Sequence, residues 1–351
     1  DLARSKSLSV EQGLLRAWYS DSRWLLLLRP ISWLFTALAK ARRRRLQNRF
    51  QGKAFAVPVA VIGNISMGGS GKTPMIIALV KALAARGLRA GIVSRGYGGH
   101  SQQYPLEVRT ETEVSLCGDE PRLLALELAH LNCPIAVAPH RVSAVQYLLA
   151  SYEVDIVLSD DGLQHYAMHR DLEIALVDGA RGLGNGLSLP AGPLREPAER
   201  LREMDFVLIN GVTEIPGLTA DGLIRLKPTV LRHLASNRAV AATDWQESRV
   251  VHAVAAIGNP ERFAASLESL GLEVLLHSKN DHQPLSPGDL EYGDHLPVII
   301  TAKDAVKLSE PVPDNLWVLD VEMILGSQFV DEFVAKAGLT AAGKPADLSA
   351  K

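Results

Sequence analysis

The sequence predicts a doubly wound, mostly parallel α/β sheet, with a second, smaller α/β unit after it and an apolar, basic arm before it. Three observations lead there. An apolar strand, Val57 to Ile62, runs into a glycine-rich turn, Gly63 to Gly71, and then into Lys72-Thr73-Pro74 at the head of an apolar helix. Short apolar runs then alternate with helical stretches as far as Ile209, the pattern of parallel strands with helices on both faces. After Gly211 to Arg249, where clean periods are few, the alternation resumes at Val251. The expected organisation is an arm at 1–50, a core at 51–215, and a hinge with a C-terminal α/β unit at 216–345.

The chain of 351 residues, 47% of them hydrophobic, can bury more than one core. Its net charge of −2 conceals an asymmetry: residues 1–53 carry +9, so the remainder carries −11. A basic arm on an acidic body points to an anionic surface as the arm's partner. Cys117 and Cys133 have neither metal-ligand nor CxxC spacing, which fits idle thiols in a reducing compartment. No secretory leader is expected, because the apolar run lacks a small-residue cleavage site and ends in arginines.

Within the arm, Trp24 to Ala39 is apolar except for Arg29, Ser32 and Thr36, and Pro30 is expected to kink it. That run is short for a spanning helix. Trp18, Trp24 and Trp33, with Arg42-Arg43-Arg44-Arg45 behind them, suit a bilayer interface with anionic headgroups. The competing reading is a helix docked on the protein's own core with a solvated arginine cap. Nucleic acid is not expected, since no aromatic-basic platform follows the arginines.

The glycine-rich turn reads as a phosphate loop, so the core is expected to be P-loop NTPase-like. Gly68, Gly69, Ser70 and Gly71 let successive N–H groups face an anion at a helix N-terminus. Lys72 can reach phosphate oxygens, and Thr73 can place its hydroxyl on Mg²⁺. The usual first glycine of this motif is replaced by Ser66. The next strand, Ala90 to Ser94, leads into Arg95-Gly96-Tyr97-Gly98-Gly99, where Arg95 is either a phosphate contact or part of a flexible surface loop.

Asp119 and Glu120 open a helix over Arg122 to Ala129, and by themselves read as capping carboxylates. Arg141, between the strand Ile135 to Ala138 and the helix Val142 to Ala150, is an anion contact or a solvated charge. Asp155 to Asp160 is an apolar strand ending in Asp160-Asp161-Gly162. Adjacent carboxylates at a strand end favour a bound cation, here Mg²⁺ opposite Thr73. Gln164 and His165, in the same loop, can touch metal-bound water or substrate.

Leu172 to Val177 is a further strand. The glycine- and proline-rich segment after it carries Arg195-Glu196 between prolines, placed for phosphate and metal, and Asp205 to Ile209 is expected to close the first sheet. In the C-terminal unit, strands at Val251 to Ile257, Leu272 to Leu276, Val298 to Thr301 and Leu316 to Val321 flank a helix at Glu261 to Leu270. Asp281-His282 lies in a polar loop, where His282 is a general base, its orienting partner, or simply solvated.

Taken in order, GNISMGGSGKTP, SRGYGG, GDEP, SDDGLQH, PAGPLREP, GNPERF, DH and TAKDAVK resemble the tetraacyldisaccharide 4′-kinase family of Gram-negative bacteria, over most of the chain to about residue 325. The resemblance implies ATP- and Mg²⁺-dependent phosphorylation of the 4′-hydroxyl of a membrane-embedded glycolipid, forming lipid IVA. It implies a monotopic enzyme on the cytoplasmic face of the inner membrane, with a C-terminal domain hinged over the nucleotide; a monomer is favoured. It assigns Asp119 to acceptor activation with His282 as its partner, Lys72 and Arg195 to phosphate, and Thr73, Asp160, Asp161 and Glu196 to the metal. Arg95, Arg141, Gln164 and His165 match active-site positions. Ala302 in TAKDAVK, where Glu is expected, and Asn280 before Asp281-His282 depart from the pattern.

Two other classes compete. Metallochaperone-type ATPases carry Lys before the double glycine, where this chain has Met67, and the base-reading N-K-x-D of GTPase switches is missing from Leu208 to Val212. A non-catalytic membrane adaptor would not need the intact Lys72-Thr73 and paired aspartates.

Overall fold

Five strands of the first half are buried along their whole length: Val59–Gly63 (β1), Ala90–Ser94 (β2), Ile135–Val137 (β4), Ile156–Asp160 (β5) and Phe206–Asn210 (β7). Leu106–Glu107 (β3) and Leu172–Asp178 (β6) complete this group. Continuous apolar strands of this kind need cover on both faces. The computed structural model describes residues 13–20, 22–50, 54–211, 215–308 and 311–340. The later strands are Gly222–His233 (β8), Ala239–Ala241 (β9), Val250–Ala255 (β10), Glu273–Ser278 (β11), Val298–Thr301 (β12) and Leu316–Ile324 (β13).

All of them form one sheet in the order β11-β10-β12-β13-β8-β7-β6-β1-β5-β2-β4-β3, with β9 beside β8. Pairing is parallel except at β3–β4, β8–β9 and β8–β13. The sheet does not end at Ile209 as expected. Leu208–Asn210 of β7 pairs in parallel with Gly222–Ile224, and β8 then runs antiparallel to β13 as far as His233. The stretch without clean periods is therefore the strand that joins the two halves. Its periodicity is hidden because its neighbours change along its length, and because the register slips opposite Pro228, which has no N–H to donate.

The helices are Arg29–Phe50 (α1), Lys72–Ala84 (α2), Val114–Cys117 (α3), Asp119–Glu127 (α4), Arg141–Ser151 (α5), Pro260–Glu268 (α6), Ala302–Ala305 (α7) and Ser327–Lys336 (α8). Side chains alternate across the sheet. Ala60 and Ile62 of β1 face a core with Met75, Leu79 and Leu83 of α2, whereas Val59 and Val61 face one with Val145 and Leu148 of α5. Helix α8 was not anticipated. Its Phe329 and Phe333 join the first of these cores around Phe206, with ring centroids 5.1 and 6.4 Å away. Cys117 and Cys133 are free, and burial pushes their pKa values up to about 11 and about 12, so both are thiols.

The arm begins with a 3-10 turn, Arg23–Leu28, and continues as α1. Pro30 falls at the second position of α1, where its missing N–H is not needed, and marks the change of helix type in place of the expected kink. The segment Arg23–Arg49 is long and apolar enough to cross a membrane by length and composition, and 11% of its most apolar window is buried. Leu27, Trp33, Leu34 and Leu38 are more than half exposed. Trp18 departs from the expected interfacial set. It is buried, and its Nε1 donates to the Pro190 carbonyl at 3.0 Å. Ser32 also grips that loop, donating to the Ser188 carbonyl (2.8 Å) and accepting from the Ala191 N–H (3.0 Å).

Phe333→Ala is expected to cost about 3–5 kcal/mol by leaving a cavity under Phe206, whereas Leu34→Ala on the open face of α1 should stay within about 0.5 kcal/mol. Urea denaturation midpoints of the two variants check the contrast.

Candidate active site

The turn after β1 is shaped by its glycines. Gly68 and Gly71 have φ of 104° and 92°, and a Cβ on Gly71 would meet Asn210 Nδ2 at 2.5 Å. Asn210 Nδ2 donates to the Ser70 carbonyl at 3.0 Å, and Asn64 Nδ2 to the Gly68 carbonyl at 3.1 Å. With those carbonyls held from behind, the loop's N–H groups and the N-terminus of α2 are left for an anion. Lys72 is the first residue of α2, and Thr73, buried, is the second. The proline-rich segment lies along the outer edge of this loop: Met67 N–H donates to the Pro193 carbonyl (2.8 Å), and Arg195 N–H to the Ile65 carbonyl (2.6 Å).

Across from α2, β5 ends in Asp160, and Asp161 follows in the left-handed region (φ 45°), which aspartate tolerates better than most residues. Lys72 Nζ is 3.5 Å from Asp161 Oδ1, and Arg195 Nη1 is 3.4 Å from Asp161 Oδ2. Buried Arg141 braces the same turn through Nη2, which donates to the carbonyls of Asp160 (2.9 Å) and Asp161 (2.8 Å). Burial raises the pKa of Asp161, but Lys72, Arg195 and Arg141 outweigh it and hold the carboxyl below its ordinary value. Asp160 goes the other way: burial, with Glu120 and Asp161 nearby, pushes it up. Ser94 Oγ donates to Asp160 Oδ2 at 3.2 Å, while Asp160 Oδ1 is buried with no partner among the described residues. The Ser70 hydroxyl is likewise buried with no partner among the described residues. A buried carboxylate oxygen without a donor, beside a second carboxylate and across from a threonine hydroxyl, is the hard-oxygen donor set that Mg²⁺ takes.

The other expected residues are distributed as follows. Arg95 is exposed at the end of β2, close enough to Arg141 to help lower its pKa, after burial. Gln164 Nε2 donates to the Asn64 carbonyl (3.2 Å) and to Glu196 Oε2 (3.1 Å), tying the phosphate loop to the proline-rich segment. Glu196 is buried, and Tyr166 donates to its other oxygen, so both of its oxygens have protein donors. His165 is lowered to about 4 by burial and then by Arg141 and Arg170, so its imidazole is neutral.

Residues 163 apart in the sequence make the contact that joins the halves. Asp119, buried at the start of α4, lies 2.9 Å from His282 Nδ1. His282 has φ 62°, and its N–H donates to the Ala256 carbonyl just beyond β10 (3.2 Å). Strain of this kind persists where the surroundings enforce it. Burial raises the Asp119 pKa, but the His282 hydrogen bond and Lys303 overcome it and hold the group below its ordinary value. The same hydrogen bond, against burial, raises His282. A second cross-contact brings Gly258, before α6, against Gly69, where a Cβ on Gly258 would meet Gly69 N at 2.5 Å. Ser94, Glu120, Asn210, Gly258 and Lys303 were missed as site residues. Ser94, Glu120, Gly258 and Lys303 stood in motifs and Asn210 in none, and no pattern of their own distinguished them.

Asp119→Asn should lower the His282 pKa, because the carboxylate charge that strengthens the hydrogen bond and favours the imidazolium is lost. A folded pKa above the unfolded value gives stabilisation that is full below the ordinary histidine pKa and is lost as pH rises through the folded one. The variant's stability should therefore fall less over that interval. An NMR titration of the His282 ring, run beside a pH series of denaturation curves, checks both.

The chain matches the family described as tetraacyldisaccharide-1-P 4′-kinase over residues 24–338. It is 41% identical over 327 residues to the tetraacyldisaccharide 4′-kinase of Hahella chejuensis, covering 92% of this chain and 95% of that protein. The kinase of that name from Pseudomonas fluorescens is 43% identical over 330 residues, covering 93% and 96%. Among solved structures, Aquifex aeolicus LpxK in complex with ATP superposes with a TM-score of 0.72 at 26% identity, covering 90% of this chain and 99% of that one. By sequence and by fold, this chain belongs to the tetraacyldisaccharide 4′-kinase family.

Proposed function

We propose that this chain transfers the γ-phosphoryl group of ATP to the 4′-hydroxyl of a tetraacyldisaccharide 1-phosphate, the step that forms lipid IVA in lipid A assembly. The observation that carries the proposal is the Asp119–His282 pair, drawn together from the two halves beside a phosphate loop. The named activity of the relatives and the ATP held by the Aquifex protein support the same reading.

Phosphoryl transfer depends on in-line placement and charge neutralisation more than on covalent chemistry by the protein. Gly68, Gly69, Ser70 and Gly71 cradle the β- and γ-phosphates, Lys72 neutralises them, and Arg195 and Arg141 add positive charge from the opposite wall. Arg95 reaches in from its exposed loop. Thr73, Asp160 and Asp161 would hold Mg²⁺, which when bound neutralises phosphate oxygens, while Glu196 fixes Gln164 at its edge. Neutral His165 contributes hydrogen bonding without charge. An alcohol does not ionise at neutral pH, so Asp119 accepts the hydroxyl proton as the new bond develops, with His282 orienting it. Within the C-terminal unit, the part that carries β10 to β12 acts as a hinged body whose docking on the core completes the pair and excludes water, while α8 stays packed on the core. The exposed apolar face of α1 and Arg42, Arg44 and Arg45 rest on the anionic cytoplasmic surface of the inner membrane, while Arg43 pairs with Glu203 and holds the helix to the core, so the acyl chains stay in the bilayer. The enzyme works as a monomer.

Labelled phosphate from [γ-³²P]ATP/Mg²⁺ should appear on the tetraacylated disaccharide in mixed micelles and vanish with Lys72→Ala. Free phosphate without labelled lipid would instead favour a nucleotide-driven ATPase. Asp119→Ala and His282→Ala should each lower turnover by about 10²–10⁴-fold while ATP affinity stays within a few-fold. An affinity loss matching that of Lys72→Ala would remove them from the acceptor side. A chain lacking residues 1–45 should partition less into anionic liposomes, and unchanged partitioning would refute the membrane role of the arm.

A further inference from the structure

The turn Thr301-Ala302-Lys303-Asp304 does more than cap α7. Thr301 Oγ1 donates to Asp304 Oδ2 (2.8 Å) and accepts from the Asp304 N–H (3.1 Å), closing the first turn. Asp304 is wholly buried, paired with Lys307 at 2.7 Å, and its carboxylate accepts the Ala256 N–H at 3.2 Å. Lys307 also donates to the Gln283 carbonyl at 3.2 Å. The turn is thereby fastened on both sides of His282, through Ala256 and Gln283. From it Lys303 points at the active pair. Its Nζ lies 3.0 Å from Glu120 Oε1, 3.5 Å from His282 Nε2, 3.6 Å from Asp281 Oδ1 and 3.9 Å from Asp119 Oδ2.

The donor count makes this arrangement directional. An ammonium has hydrogens to give and no lone pair. Lys303 is the nearer of the two groups at His282 Nε2, with Asp281 Oδ1 at 3.7 Å and itself engaged by the lysine, so Nε2 accepts and the imidazole's own proton sits on Nδ1, pointing at Asp119. The proton from the acceptor hydroxyl then has one open destination, the carboxylate.

We propose that Lys303 is a positioning residue for phosphoryl transfer: it holds His282 in the Nδ1–H form and keeps Asp119 ionised, which makes Asp119 the proton acceptor. The proposal rests on the kinase reading above. The charges around Asp119 support it. His282, Lys303 and Lys307 face it from the C-terminal half, with Asp281 beside Lys303, and Glu120 and the neutral Cys117 thiol stand on its own segment. Burial would lower the Lys303 pKa, but Glu120, Asp281 and Asp119 more than offset it, so the lysine stays charged. With Lys303 removed, the Asp119 pKa rises, and the acid limb of the rate profile moves to higher pH.

The test compares wild type, Lys303→Met and Lys303→Arg in lipid phosphorylation across pH, with ¹⁵N-histidine NMR of His282 in the same full-length proteins. Lys303→Met should move the acid limb of kcat/KM for the lipid upward by about one pH unit, which still leaves Asp119 ionised at pH 7, and lower the rate there roughly tenfold through loss of the Nδ1–H form of His282 that orients Asp119. The KM for ATP should change less than three-fold, a sign that the variant is folded. His282 should lose its preference for the Nδ1–H form, and Lys303→Arg should restore most of the limb and the tautomer. A fallen rate with an unmoved limb and unaltered His282 shifts would overturn the proposal, leaving Lys303 as a tether between α7 and α4. The NMR arm needs no turnover. If wild type labels no lipid, the kinase reading fails, and the tautomer still decides the role of Lys303.

Discussion

Two carboxylates at the end of a buried strand govern the chemistry of this molecule. Asp160 and Asp161 stand at the end of the buried strand β5, after Ile156, Val157, Leu158 and Ser159, and cannot both be left charged and unaccompanied in that setting. The sequence around them answers with cations from three directions. Lys72 comes from the phosphate loop, Arg195 from the proline-rich segment and Arg141 from the head of α5. Each approaches from a different element, so the charge balance dictates how those elements sit together. The balance is incomplete at Asp160 Oδ1, which is buried without a donor among the described residues, the chemistry of a hard-cation ligand.

The second organising fact is geometric. The base-like pair is assembled from both halves of a single sheet, and β8 is the strand that lets them share it. A parallel first half and a largely parallel second half meet through one long strand, parallel to β7 on one side and antiparallel to β13 on the other. This aims the C-terminal ends of β10 and β12 toward the phosphate loop. Ala256, Gly258, His282 and Lys303 all lie just beyond those strand ends or the end of β11. Open α/β sheets bind ligands at such ends, and here two sets of them converge.

Much of this was legible in the sequence where the signal is local. The phosphate loop, the strand ending in Asp160-Asp161 and the alternation of elements are short-range patterns. Each has a direct physical cause, such as the left-handed φ of Gly71. The strand β8 was not legible, because its residues change neighbours midway and Pro228 interrupts the register. Helix α8 was passed over because its apolar stripe, Phe329, Val330 and Phe333, is short and gains meaning only against Phe206, more than a hundred residues away. At the site, Asp119 and His282 read as a helix cap and a solvated loop histidine until the resemblance paired them. Lys303 could not be read at all, since its function depends on four partners drawn from two distant segments. Trp18 looked interfacial by residue type and is instead a buried peg in the 189–190 turn.

The position of α8 has a consequence for how the chain is made. Its phenylalanines come late in the chain, more than a hundred residues after β7, yet they fill a core built around β1, β7 and α2. During synthesis the apolar arm leaves the ribosome well before the helix that packs on that core. The nascent chain can therefore reach a lipid surface while that core is still open on one side. Folding from the N-terminus is the usual order for successive units. Here it must wait for α8, so a product cut short before that helix should be an incomplete, protease-sensitive chain and not a working fragment.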